Sequence, residues 1–326
     1  MKVLVSGGTG LVGRYIVEEL LSAGYQVAVG GRSPPQPGLF PQPVTFVPLS
    51  LDPCENQSDA FDDAYFFVHA AFSHVPGKYR GGEGEDAEGF RRLNLGGTVK
   101  LFETARQAGI RRCIFLSSRA VYGDQPAGEV LTEASKPAPN TLYGEVKRDA
   151  EHALFSLSAP GFATASLRAT GVYGDLRPNK WDELFADYLA GKPVPSRAGT
   201  EVHGRDLARA VRLLLETEAG RIDGRAFNLS DILTDTHEIL GHLQRATSCP
   251  HALPPPAPQG VVSAMDTSKI RALGWLSGGT ALLKETIESL VKTAPQHHAS
   301  FSASASPRPS QAPPDPRPGT WRHRRR

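Results

Sequence analysis

The sequence predicts an α/β fold: a doubly wound parallel sheet followed by a smaller carboxyl-terminal lobe. Three observations predict it. Short β-branched runs, apolar throughout, alternate with helical patterns over the first half of the chain, as strands covered on both faces require. A glycine-rich turn, Ser6 to Gly13, joins the first of these runs to the first helical pattern. After about Ala169 the alternation loosens.

The strand-like runs are Val3 to Val5, Gln26 to Val29, Val44 to Val47, Tyr65 to Val68 and Ile114 to Leu116. Helical periodicity spans Leu11 to Ala23, Phe90 to Ala108 and Leu142 to Leu157, and a further strand runs from Thr164 to Arg168. The connection Ser33 to Pro43 carries five prolines and reads as a loop. Beyond Ala169, helices are expected at Trp181 to Ala190, Arg205 to Glu218, His237 to Ala246 and Thr280 to Thr293, with a short strand at Ala226 to Leu229. The proline-rich stretch Leu253 to Gln259 reads as an exposed loop. The expected division is a sheet domain over 1–169 and a mixed substrate-binding lobe over 170–294, into which late sheet elements can run. A Pro/Ser/Arg-rich tail over 295–326 has the composition of a disordered segment.

The 326 residues, 40% of them hydrophobic, suffice for a sizeable core. The formal charge of +2 hides an asymmetry: from Pro295 onward six arginines face the single acid Asp315, a local +5, leaving about −3 for the body. A basic nucleic-acid surface on the folded part is therefore not expected. The tail's affinity for RNA or lipid would be modest and salt-sensitive. Cys54, Cys113 and Cys249 offer neither metal-ligand spacing nor a disulfide framework, and no run approaches membrane-span length. The chain enters a strand at Lys2 without a charged leader. The expectation is a cytoplasmic protein with a small-molecule substrate, no metal, and neither membrane nor nucleic acid as partner.

Ser6 to Gly13 read SGGTGLVG, with Gly7, Gly10 and Gly13 at a spacing of three. Glycines there permit a tight turn and close approach of the backbone to a pyrophosphate, while the helix amino end, at Leu11 and Val12, offers free N–H groups and partial positive charge. The expected ligand is a dinucleotide, NAD or NADP. At the end of the second strand, where an acid would bind a ribose 2′-hydroxyl, stands Gly30-Gly31-Arg32-Ser33. Arg32 could pair with a 2′-phosphate, which leans toward NADP; the alternative is a solvated arginine at a loop mouth. Asp52, after the third strand, could bond the adenine or simply form a turn.

Tyr143 and Lys147 stand four apart on a predicted helix and share a face. A tyrosine with a pKa near 10 is a poor base at neutral pH, and a neighbouring ammonium favours its phenolate. Ser118 ends an apolar strand and can orient a substrate oxygen at the carboxyl edge of a parallel sheet.

With these marks in place the chain resembles the extended short-chain dehydrogenase/reductases, the NAD(P)-dependent epimerase/dehydratase family, over about Lys2 to Thr293. The resemblance is carried by SGGTGLVG, VHAA (Val68 to Ala71), NLGGT (Asn94 to Thr98), LSSRAVYG (Leu116 to Gly123), YGEVK (Tyr143 to Lys147) and LRATGVYG (Leu167 to Gly174). VHGRDLA (Val202 to Ala208), FNLSD (Phe227 to Asp231) and MDTSKIRALGW (Met265 to Trp275) extend it. It implies a Rossmann fold and an oxidoreductase or epimerase. Hydride transfer would occur at a secondary alcohol or carbonyl of a sugar or sugar-derived substrate. Tyr143 would be the general acid/base and Lys147 its partner and the holder of the nicotinamide ribose, with Ser118 at the catalytic Ser/Thr position. Ala70 and Ala71 would lie against the cofactor, and Asn94 would be the helix asparagine that supports the lysine. Dimerisation through a helix bundle is usual in similar proteins, though nothing in these residues shows it. The contrasting reading is a regulatory protein that binds the dinucleotide without catalysis.

Two departures narrow the chemistry that the resemblance implies. Dehydratases of this kind place an Asp-Glu pair directly after the catalytic Ser/Thr, and here Arg119 and Ala120 stand there. Similar nucleotide-sugar enzymes carry an arginine that clamps a diphosphate shortly before the histidine matched by His203. The stretch Ala198 to Val202 has none, which leaves Arg197 or Arg205 as substitutes. His203 itself reads as a helix-entry or core residue.

Overall fold

The computed structural model describes residues 1–74 and 84–293, so the tail, with His297, His298 and its arginines, lies outside the described residues. Seven parallel strands form the central sheet in the order β3-β2-β1-β4-β5-β6-β9. They are β1 Lys2–Ser6, β2 Gln26–Gly31, β3 Thr45–Pro48, β4 Phe66–His69, β5 Arg112–Ser118, β6 Ala163–Ala169 and β9 Arg225–Leu229. The first six coincide with the expected apolar runs, and the sheet is Rossmann-like.

Both faces are covered, which is why the strands contain so few polar residues. Successive side chains point to opposite sides. Val3 and Val5 of β1 join Ile114, Leu167 and Phe227 in one apolar layer, under α1 (Leu11–Ser22) and α6 (Gly204–Glu216). Leu4, Phe67, Cys113 and Phe115 enter the other, under α3 (Thr98–Gln107) and α4 (Leu142–Ser156).

The expected single helix from Phe90 to Ala108 is a correction. It is three segments: α2 (Ala87–Arg91), a π-helical turn over Arg92–Gly97, and α3. Periodicity cannot reveal the widened turn, because it shifts the register by only one residue in the middle of an otherwise helical pattern.

The second half builds a small sheet the periodicity did not reveal. Its strands β7 (Gly171–Tyr173), β8 (Ala198–His203) and β10 (Ile232–Asp235) run in the order β10-β8-β7. Gly, Thr and Glu dominate β8, so it lacks the apolar alternation that marks a strand. Over this sheet pack α5 (Asp182–Leu189), α8 (Thr236–Thr247) and α10 (Gly279–Lys292). Together they close a separate core around Tyr173, Trp181, Leu240 and Ile287. Two short helices, α7 (Ala219–Ile222) and α9 (Ser268–Arg271), lie against the main sheet, where Ile222, Ile270 and Trp275 join its first apolar layer. Among the described residues no helix is long and apolar enough to cross a membrane, and no cluster of His, Cys, Asp and Glu could hold a metal ion.

Candidate active site

The glycine turn after β1 is shaped for close approach. Gly7 has φ +71°, and a Cβ on it would lie 2.7 Å from the backbone of Ala71. A Cβ on Gly13 would run into the Gly7 carbonyl. Ala70 N–H donates to the Ser6 carbonyl at 3.2 Å, so the two alanines after β4 sit directly on the turn. Gly10 is the N-cap of α1 and supplies no capping side chain, which leaves the first-turn amides at Leu11 and Val12 without a partner within the helix. A turn packed too tightly on its own backbone to carry side chains at Gly7 and Gly13, ending in free amides at a helix amino end, fits a dinucleotide pyrophosphate.

Arg32 lies exposed just beyond β2. Asp52 is half-buried; its Oδ1 accepts from the Cys54 amide and from Arg92, both at 3.0 Å, and these hold the carboxyl below its usual range.

Beneath the turn, His69 is fully buried between Ser6 Oγ at 2.7 Å and Thr98 Oγ1 at 2.9 Å. Burial, with Lys147 nearby, pushes its pKa down to about 3, so it is neutral at any ordinary pH and acts as a fixed strut between β1, β4 and α3.

Ser118 is the last residue of β5 and Tyr143 lies in the first turn of α4. Ser118 Oγ accepts from Ala120 N–H at 3.1 Å, so its own proton can be directed at a substrate oxygen. Gly144 lets α4 press against the Ala120 carbonyl, where a Cβ would clash, and this draws the Tyr143 turn onto the segment that follows Ser118.

Lys147, one turn further along α4, is buried, and its Nζ donates to the Leu116 carbonyl of β5 at 2.7 Å. The ammonium lies 4.5 Å from the centre of the Phe72 ring and 4.7 Å from that of Phe115. Phe72 in turn meets the Tyr143 ring edge-on at 5.1 Å. Burial pulls the Lys147 pKa down to about 7, opposed in part by the Glu151 carboxylate.

Asn94, in the π-helical turn, is buried. Its Oδ1 accepts from Ser73 N–H at 2.6 Å and its Nδ2 donates to the Ser73 carbonyl at 2.8 Å. Pinning that peptide on both sides fixes Phe72 over the lysine.

Several supporting residues carried no assigned role in the sequence reading. Glu151 and Arg168 form a buried ion pair at 2.7 Å, with Ser166 Oγ donating to the same carboxylate. Arg168 also donates to the Tyr122 hydroxyl at 2.9 Å, and that hydroxyl lies 2.6 Å from Asn228 Oδ1. The network ties α4 to β6, to β9 and to the 3₁₀ turn Arg119–Tyr122 that follows Ser118. Arg168, Tyr122 and Asn228 lie inside the motifs LRATGVYG, LSSRAVYG and FNLSD, whereas Glu151 and Ser166 lie in none of the quoted motifs.

On the substrate side, Arg119 donates to the Ser263 carbonyl at 2.9 Å, and Ala120 is buried. Arg205 is engaged by Asp175 and, at 3.6 Å, by Glu285. His203 is buried; its Nδ1 accepts from Arg205 N–H at 3.0 Å and caps α6.

The sequence model of the NAD dependent epimerase/dehydratase family matches residues 3–230. The chain belongs to that family. It is 25% identical to a UDP-glucose 4-epimerase of Corynebacterium glutamicum, covering 86% of this chain and 92% of that one. Over 199 residues it is 29% identical to a 3 beta-hydroxysteroid dehydrogenase/Delta 5-->4-isomerase of Mycobacterium tuberculosis, covering 58% of this chain and 52% of that one. Among solved structures, the UDP-glucose 4-epimerase of Thermus thermophilus in complex with NAD superposes with a TM-score of 0.72 at 27% identity, covering 90% of this chain and all of that one. Relatives in the family include both isomerases and oxidoreductases, and this chain is an NAD(P)-dependent enzyme of the same kind.

Proposed function

We propose that the protein transfers hydride at a secondary alcohol or carbonyl of a sugar or sugar-derived substrate, as a dehydrogenase/reductase or as an epimerase. The observation that carries this reading is the α4 face on which Tyr143 and Lys147 stand one turn apart, with Lys147 bonded to the backbone of the strand that ends in Ser118. The nicotinamide ring, when bound, supplies the hydride acceptor or donor.

Tyr143 takes the hydroxyl proton in the oxidative direction and returns it in the reductive one. Lys147 favours the phenolate when charged. Ser118 donates its hydroxyl proton to the same substrate oxygen and holds it in line with the tyrosine. Phe72 covers one side of the pair and excludes water from it. Arg32 favours NADP through a 2′-phosphate. Arg119 and Ala120, where a dehydratase keeps its acid and base, leave redox chemistry without dehydration.

A panel of sugars, sugar acids and nucleotide sugars, read at the reduced-nicotinamide absorbance with NAD and NADP in parallel, tests this. Product analysis catches an epimerase, which shows no net absorbance change. Turnover that survives Tyr143→Phe unchanged would sink the reading.

A further inference from the structure

Resting on that reading, we propose that Glu201 is the residue that selects the distal end of the substrate, accepting an uncharged polyhydroxy group and refusing a nucleoside diphosphate. β8 is half-buried at Gly199 and Glu201 while Thr200 and Val202 between and beyond them are buried, so positions 199 and 201 share the open face of the strand. Strand register links that face to the strand end that carries Ser118. Glu201 is the register partner of Gly171 on β7, and Gly171 follows by two residues Ala169, the register partner of Ser118. Two residues of extended chain are about 7 Å.

Gly171 is exposed, and a Cβ on it would lie 2.6 Å from Glu201 Oε2. The carboxylate therefore stands at a gap in β7 that only a glycine leaves open. Lys180 pairs with it and lies over the Trp181 ring at 5.6 Å, so the pair is held in place and has no net charge.

Among the described residues, the one cation at Glu201 is Lys180, and its pairing with that carboxylate engages it. Position 199 is a glycine with open space around its Cα. Arg205, one candidate for a substitute clamp, is turned to Asp175 and Glu285. Arg119 spends its guanidinium on the Ser263 carbonyl. Arg197 precedes β8, whose first residue pairs with Asp235 of β10, and it stands four residues, about 13 Å of strand, from Glu201. The segment Leu253 to Asp266 contains no lysine or arginine. A diphosphate drawn to Lys180 would have to displace the Glu201 carboxylate that already pairs with it and would then lie beside that like charge, whereas hydroxyl groups would find an acceptor with lone pairs to spare.

The test uses the cofactor-loaded protein and two arms. In the first, UDP at ~1 mM should leave the unfolding midpoint of the wild type unchanged, which places its Kd above that concentration. Stabilisation by UDP at ~0.1 mM would overturn the proposal. In the second, with a neutral substrate from the panel, Glu201→Gln should raise KM about tenfold while kcat stays within about twofold. An unchanged KM, or a loss confined to kcat, would overturn it. Should Glu201→Gln not fold, Glu201→Asp, which keeps the charge and shortens its reach, is read the same way. Absence of turnover across the whole panel would sink the hydride-transfer reading, while the UDP arm still decides whether this face refuses a diphosphate.

Discussion

Tyr143 acts as an acid/base only if its phenolate is accessible near neutrality, and Lys147 is the group placed to make it so. Tyr143→Phe should lower kcat by about 10²–10⁴-fold with cofactor affinity retained, because proton transfer is lost while the glycine turn is untouched. Steady-state kinetics beside cofactor titration check this. Lys147 adds a stability signature. Its pKa in the folded protein is down to about 7, against about 10.4 for a free lysine. Between those values the unfolded chain binds more protons, so this group's contribution favours folding increasingly as pH rises through the window. It is lost as pH falls toward 7. Lys147→Met should therefore be more stable than wild type at pH 7 without cofactor, and the advantage should shrink by up to about 1.4 kcal/mol per pH unit toward pH 10. Denaturant titrations at several pH values measure it, and a pH-independent difference would contradict it. The placement of Ser118 at a strand end and of Tyr143 and Lys147 one turn apart on a helix was legible in sequence because it is local. Asn94 was singled out only through the motif NLGGT, and Phe72, one residue past VHAA, was not singled out at all. The lysine is served by an aromatic cover and a pinned peptide at Ser73, and neither is written in residue spacing.

At the scale of elements, the position of α4 depends on the buried pair Glu151–Arg168. Removing one partner strands a charge in the interior, so Glu151→Leu or Arg168→Met alone should cost about 3–5 kcal/mol. The double change Glu151→Leu with Arg168→Met should cost less than the two singles together, since neither charge is then left alone. Urea unfolding of the four proteins decides it, and strict additivity would mean the pair does not act as a unit. The single changes should also lower kcat, because α4 carries Tyr143 while β6 and the Arg119–Tyr122 turn flank Ser118. The main strands were readable from composition because both their faces are covered and apolar. The strands β7, β8 and β10 were not: each is three to six residues long, and Gly171, Gly199 and Glu201 serve a polar face instead of a core. The π-helical turn was hidden because its purpose, aiming Asn94 at Ser73, changes no apolar residue.

Over the whole molecule, the dinucleotide would bridge surfaces supplied by distant stretches of chain: the turn after β1, the loop after β2, the alanines after β4 and the face of α4. Binding at all of them should couple cofactor occupancy to global stability. At one hundred times its Kd the preferred dinucleotide should raise the unfolding free energy by about 2.7 kcal/mol. Comparing NAD with NADP by differential scanning calorimetry identifies the preferred cofactor without any substrate. If Arg32 reads a 2′-phosphate, NADP gives the larger increment at equal concentration, and Arg32→Ala reduces that increment while leaving the one for NAD in place. Equal increments, or a loss that falls on both cofactors alike, would return Arg32 to the role of a solvated loop residue. Gly7→Ala is the control. Its new Cβ would crowd the Ala71 backbone at 2.7 Å from a residue held at φ +71°, so the increment from either dinucleotide should vanish whichever of them the enzyme prefers.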